Sequence, residues 1–468
     1  MRAHPAGPRH GDITESAHLH APAQDLNALS AEIWPITALR NAAGALEIGG
    51  RDVRNLAAEF DTPLYVYDES DLRDRARRYF AAYSEAGASM VYYAAKAFLT
   101  TTVARWVTEE GLGIDVATGG ELATAIRAGI PGERILMHGN NKSMSELEAA
   151  VEHRVGRIVI DSLEEIARVA DAAARAGVVQ PVLVRVTLGV EAHTHEFIAT
   201  SHEDQKFGLS AADGSVDEAV RRIAKLPSLS YVGLHSHIGS QIFDASGFEL
   251  AASRVVAVAQ RLWDEQGVET EELNLGGGMG IAYVTGDDPL DVVTMAEEIG
   301  AVVAKACAEA GIPMPALAFE PGRAIVGPAG VTLYEVGTIK PVHLDNGLVR
   351  TYVSVNGGMS DNIRTALYDA DYTVVLASRR SDAESMLCRV VGKHCESGDI
   401  VVRDAWLPGD VAHGDLLAVA ATGAYCRSMA SNYNQVGRPA AIGVRDNEAQ
   451  VLLRRESVDD LLRLDPGA

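Results

Sequence analysis

The stretch YYAAKAF (92–98) decides how this chain reads. It is a short apolar run that closes on a single charge, Lys96. The pattern then repeats. MVYYAAK (90–96), GIDVAT (113–118), RILMHG (134–139), RIVIDS (157–162), PVLVRV (181–186), YVGLHSHIG (231–239), ELNLGGG (272–278) and ALAFEPG (316–322) make eight strand-like runs. Most are followed by residues at helical spacing, such as LEEIARVADAAARAG (163–177). Nearly all end in a residue fit for chemistry: Lys96, Asp115, His138, Asp161, Arg185, His237, the glycines 276–278 and Glu320. Eight parallel strands close a barrel, and their C-terminal tips gather at one mouth. The expected core is therefore α/β, a (β/α)8 TIM barrel. A lone strand-end lysine is more often a surface cap, but eight polar tips are hard to read as surface decoration. In such a mouth, Lys96 suggests covalent capture of a carbonyl.

Working outward, LYVYD (64–68) would be a ninth strand. Nine would not close this barrel, so it is assigned to a neighbouring sheet, followed by a helix to about Ala86. Residues 1–30 are rich in Pro, Ala and His and read as a mobile leader. His4, His10, His18 and His20 lack the Cys or carboxylate partners of a metal site. The barrel is expected within 64–330. After Arg323 the helices stop, and GVTLYEVGTIK, RTYVSVNGG, DYTVVLA, MLCRVVGKHC, DIVV and DLLAVAATGAY alternate or cluster β-branched residues. They predict an all-β domain over 331–468, of sandwich or barrel-like form, which the segment 31–63 is expected to join.

Composition narrows the function. A net charge of −23 argues against a nucleic-acid surface. No run approaches the roughly 20 apolar residues of a membrane span, and the N-terminus shows no signal peptide. Four cysteines in 468 residues, with no CxxC pair, predict a reduced cytoplasmic protein without a zinc site.

Several tips suit one ligand. The glycines 276–278 let backbone N–H groups approach a phosphate. Ser240 in IGSQ (238–241) and Arg323 add a hydroxyl and a charge. Glu320 in FEPGR could keep a heterocyclic nitrogen protonated, and His237 could stack on a ring. With Lys96 these are the parts required by pyridoxal 5'-phosphate (PLP). Each alone has a plainer reading: a tight turn, a salt bridge, a core histidine.

The longer motifs make the resemblance specific. YYAAKAF, DVATGGEL, HGNNKS, HTHEF, KFGLS, HSHIGSQ, NLGGGMGI, EPGR, GGMSDNIRTALYDA, CESGD and TGAYCRSMASNYN stand in order over about 60–445. The chain resembles the fold-type III, alanine racemase-like PLP decarboxylases, and within them the branch acting on diaminopimelate. The resemblance implies that Lys96 holds the cofactor covalently. It implies cofactor contacts from Asp115, His237, Ser240, Gly277, Gly278, Glu320 and Tyr425. It implies substrate contacts from Arg323, Arg364, Tyr368, Glu396 and Tyr425. Cys395 and Glu396 would come from the partner subunit of a homodimer, with Cys395 as a catalytic proton donor. Cys307, Cys388 and Cys426 remain structural.

Related ornithine and arginine decarboxylases place an Asp after the matching Cys, where this chain has Glu396. A substrate tail with both a carboxylate and an ammonium needs both charge signs from the protein, which fits meso-2,6-diaminopimelate and its conversion to L-lysine and CO2. RVTLGV (185–190), Asn356, Thr365 and YNQVGRP (433–439) depart from the family pattern without removing a catalytic group. The alternatives are another basic amino-acid decarboxylase (ornithine, arginine or lysine), an alanine-type racemase, which Glu320 opposes, and a non-catalytic PLP-binding relative. The segment 193–208 is expected to close over substrate.

Overall fold

The computed structural model describes residues 23–189, 206–237, 239–244, 246–343 and 349–467. The leader histidines and the 193–205 part of the expected lid lie outside the described residues. The chain divides into two compact units. One holds Arg73–Ile281 and Asp288–Ile325. The other holds the residues up to Leu72, Ala282–Asp287 and Val326 onward. The first unit thus begins at Arg73 rather than at the expected residue 64, because LYVYD pairs elsewhere.

In the first unit eight parallel strands close on themselves. They are β1 (Ala88–Ala94), β2 (Gly113–Val116), β3 (Ile135–Met137), β4 (Arg157–Ile160), β5 (Gln180–Thr187), β6 (Leu229–His235), β7 (Glu272–Asn274) and β8 (Ala316–Phe319). Neighbours pair in chain order, β8 pairs with β1, and the two-residue strand Leu209–Ser210 lies along β5. Tyr92, Leu136, Val159, Leu183, Val232 and Ala318 point inward from six strands and fill the interior, so the barrel is a packed core. Near the start of β4 and β7, Arg157 pairs with the buried Glu272 at 3.1 Å. That pair belongs to the stabilising end of the barrel.

Polar caps start the helices that follow the strands. Thr100, Thr118 and Ser143 accept backbone N–H bonds at the first turns of Thr101–Glu109, Gly119–Ala128 and Met144–Glu152, and Ser143 forms a full capping box with Glu146. The tips of β1, β2 and β3 are thereby held at short, defined turns. The helical spacing expected after most of the strand runs fails at one of them. The glycine run after β7 does not lead directly into a helix, and the next one, Val292–Ala310, begins only after a long connection. Any anion there meets loop N–H groups, not a helix end.

The second unit is built on the long strand Gly330–His343, which pairs with Leu64–Asp68, Val349–Val355 and Leu416–Val419. Ser385–Val391 and Ile400–Pro408 extend one flank, and Ala440–Arg445 with Glu448–Leu453 the other. Ile33, Trp34, Leu46, Ile48, Val53 and Leu56 pack in the same apolar core as Leu64, Val331 and Leu333. Helices do not stop at Arg323: Arg323–Val326, Arg364–Tyr368 and Val458–Leu462 are short helices. The hairpin over 440–453 escaped the sequence reading. Its signal was the pair Asp446 and Asn447, both left-handed at φ 51° and 67°, as a tight hairpin turn requires.

Candidate active site

Lys96 sits in a single 3-10 turn, Ala95–Ala97, directly after β1. Its neighbours are buried, yet Lys96 itself is exposed. An amine that must react with a carbonyl has to be reachable, and this turn keeps it so.

Behind it lies a buried charged cluster that the sequence placed only as separate tips. Glu320, one residue past β8, is 5% exposed. Its Oε1 is 2.9 Å from His138 Nε2, just past β3, within hydrogen-bond geometry. His235 Nε2, at the end of β6, approaches the same oxygen to 3.3 Å without forming a hydrogen bond. Asp115 on β2 lies 3.7 Å from His138 Nε2, and the rings of His138 and His235 meet edge to face at 4.6 Å.

Burial governs the protonation of this cluster. For Glu320, burial alone would favour the neutral acid, but His138 and His235 overcome it and hold the carboxyl well below its ordinary range. Asp115 is pushed up to about 7 by burial, with His138 and Lys96 opposing and Glu320 reinforcing the rise. His235 is lowered to about 4 by burial, against the pull of Glu320. It is neutral at pH 7. His138, His235 and Glu320 offer three ligand atoms within 4.8 Å of one another. A metal ion there would have to break the His138–Glu320 hydrogen bond.

The glycine turn shows why no other residue fits. A Cβ on Gly277 would lie 2.1 Å from Glu320 O, and one on Gly278 would lie 2.4 Å from Gly239 O. Gly276 and Gly278 also take positive φ of 70° and 121°. The Gly277 N–H donates to His237 Nδ1 at 3.2 Å. That bond makes Nδ1 an acceptor. Burial, then Lys96 and Arg185, keep the imidazole far below its ordinary pKa, so His237 presents a neutral flat ring. Arg323 Nη2 donates to Ser240 Oγ at 2.8 Å, which joins the two residues expected at a phosphate. Ser236 Oγ, Asn274 Nδ2 and His235 Nδ1 are buried without a partner among the described residues.

In the second unit, Arg364 is buried at the start of Arg364–Tyr368. Its guanidinium donates to Tyr372 OH at 2.5 Å and lies 4.8 Å from the Tyr283 ring centroid. Among the described residues it has no carboxylate partner. Tyr372 OH also meets Cys426 Sγ at 3.7 Å, so that buried cysteine touches the cage around Arg364. Sequence reasoning missed both tyrosines, since neither lies in a motif that signals them. Tyr368 and Tyr425 are half-buried, and Tyr425 holds a left-handed φ of 60°. Cys395 and Glu396 are exposed. Asn434 Oδ1 accepts the Cys395 N–H at 3.2 Å and lies 3.1 Å from His394 Nδ1.

The barrel mouth matches the needs of a phosphorylated pyridine aldehyde: a reachable amine, Cβ-free backbone beside a hydroxyl and a guanidinium, and a buried anion. This defines a fold-type III PLP-dependent enzyme. Residues 69–327 match the family model of the pyridoxal-dependent decarboxylase, pyridoxal binding domain. The diaminopimelate decarboxylase of Mycobacterium leprae is 54% identical over 99% of this chain and 100% of its own length. That of Corynebacterium efficiens is 52% identical over 95% of this chain and 96% of its own. The crystal structure of diaminopimelate decarboxylase from M. jannaschii in complex with L-lysine superposes with a TM-score of 0.85 at 32% identity, covering 92% of this chain and 98% of that one. The chain belongs to the diaminopimelate decarboxylase family.

Proposed function

We propose that this enzyme decarboxylates meso-2,6-diaminopimelate at its D-centre, giving L-lysine and CO2, the last step of lysine biosynthesis. The observation that carries the substrate is Arg364. A buried guanidinium held by tyrosines, with no carboxylate partner among the described residues, is costly unless an anion arrives with the ligand. A second carboxylate on the substrate supplies that anion, and ornithine, arginine and lysine have none to spare.

PLP, when bound, supplies an electron sink for the bond that breaks. The roles of the chain follow from its own atoms. Lys96 Nζ would hold the aldehyde carbon of the bound group. Gly277, Gly278 and Ser240 hold the phosphate, with Arg323 bound to Ser240. His237 offers its neutral ring face. Glu320 would hold a proton at the ring nitrogen, with Asp115 behind it beside His138. Arg364, Tyr368 and Tyr425 orient the substrate. Cys395 Sγ delivers a proton to the carbon that loses CO2, and Glu396 holds the distal ammonium. The exposure of Cys395 and Glu396 supports their action from the partner subunit of a homodimer. Their low-cysteine chain supports a cytoplasmic setting. Among the described residues no helix is long and apolar enough to cross a membrane.

The test is CO2 release by the PLP-loaded protein offered meso-diaminopimelate, ornithine, arginine and lysine side by side. Release from diaminopimelate alone, with lysine appearing, is the expected result. Release from a basic amino acid instead would keep the cofactor and sink the role of Arg364.

A further inference from the structure

Glu320 has two oxygens, and the fold treats them differently. Oε1 takes the His138 contact at 2.9 Å and the His235 approach at 3.3 Å. They come from opposite sides of β8, His235 from β6 and His138 from just past β3. A barrel mouth can be filled with apolar side chains at far lower cost than with four buried titratable ones. The cluster therefore needs a reason beyond packing.

We propose that His138 is a positioning residue for the cofactor: by occupying Glu320 Oε1 it keeps Glu320 an oriented carboxylate whose other oxygen, Oε2, is committed to a protonated ring nitrogen. The inference rests on the reading of Glu320 as the ring-nitrogen partner and adds the residue that sets its charge. His138 serves through an N–H at Nε2 that donates to Oε1 of the ionised Glu320. A Glu320 protonated on Oε1 would reverse this bond and leave the ring only a neutral carbonyl oxygen at Oε2. The groups facing His138 are Asp115 from β2, His235 from β6 and Glu320 from β8. Lys96, Glu121 and Arg185 act on members of the cluster at longer range. Without His138, burial is the dominant influence left on Glu320, and it favours the neutral acid.

The experiment measures dissociation constants of the full-length apoenzyme for PLP and for 1-deazapyridoxal 5'-phosphate, in which a C–H replaces the ring nitrogen. Intrinsic fluorescence quenching gives both. A charge-assisted hydrogen bond corresponds to about tenfold to a hundredfold in affinity, so the wild type should prefer PLP by that factor. His138→Leu should bring the preference to within about threefold of unity by removing that bond, while His138→Gln, which retains an N–H donor, should keep most of it. Should the leucine variant not fold, His138→Asn keeps the site polar but is too short to reach Oε1, and the same loss is expected. Equal weakening of both ligands in His138→Leu would show a structural role and overturn the proposal. An undiminished preference would overturn it as well. Equal affinity in the wild type would instead overturn the reading of Glu320 itself, and the inference with it.

Discussion

The barrel mouth and the loop knot around Asp361 and Asp399 both bury carboxylates, yet they satisfy them by opposite means. In the knot the donors are mostly backbone. Asp399 accepts the N–H groups of Met359 at 2.6 Å and His394 at 2.7 Å, and Asp361 accepts that of Gly358 at 2.9 Å. A Cβ on Gly392 would lie 2.3 Å from Asp399 Oδ2, so the loops close only around glycine. In the mouth the partners are ionisable side chains: His138 and His235 on Glu320, with Asp115 beside His138. Backbone donors cannot change their charge, so the knot is a fixed clamp beneath Cys395. Histidines can, so the mouth can adjust to a ligand. The lesson is that burial of charge marks a reactive site only where the balancing groups are themselves ionisable.

The largest expected effect tests the reactive side of this contrast. Lys96→Ala should lower turnover by about a thousandfold or more while leaving the melting temperature near that of the wild type, because its exposed side chain anchors no core. Near-normal turnover would overturn the assignment. Asp399→Ala tests the clamp. It leaves two buried N–H groups without acceptors and should cost about 3 kcal/mol in urea unfolding. A loss below about 0.5 kcal/mol would show that the knot is decorative.

A pH series sets one group of the knot against one of the mouth by sign. Burial pushes Asp361 up to about 7 from 3.8, so its contribution to stability is complete below 3.8 and is lost as pH rises through 7. Asp361→Asn should therefore gain on the wild type between pH 5 and 8, by up to about 4 kcal/mol. His235, lowered to about 4 from 6.5, runs the other way: its contribution is present above 6.5 and is lost as pH falls towards 4. His235→Gln should flatten that acid limb in thermal melts. The smallest effect is a control. Lys305, 4.0 Å from Glu309 on an exposed helix face, should change stability by no more than about 0.5 kcal/mol when replaced by Ala.

Much of the fold was legible because its signals are local. All eight barrel strands formed where the apolar runs end in polar tips, and LYVYD joined the other sheet, as strand number required. The hairpin over 440–453 was overlooked although Asp446 and Asn447 marked it. The gap between the glycine turn and Val292 was overlooked although Gly286, Asp287, Asp288 and Pro289 mark a loop there.

The sequence by itself determined which residue stands at each strand tip, because a strand's end and the turn after it are set by a few adjacent residues. It also determined the family, through long ordered motifs. Only the tertiary structure decided that His138 and His235 meet at Glu320 with Asp115 beside His138, and that Arg364 is caged by Tyr283 and Tyr372. Those partners lie 182, 85 and 205 residues from Glu320, and 81 residues apart for Arg364 and Tyr283. Barrel closure, not spacing along the chain, sets the distances across the mouth, and burial then sets the charges.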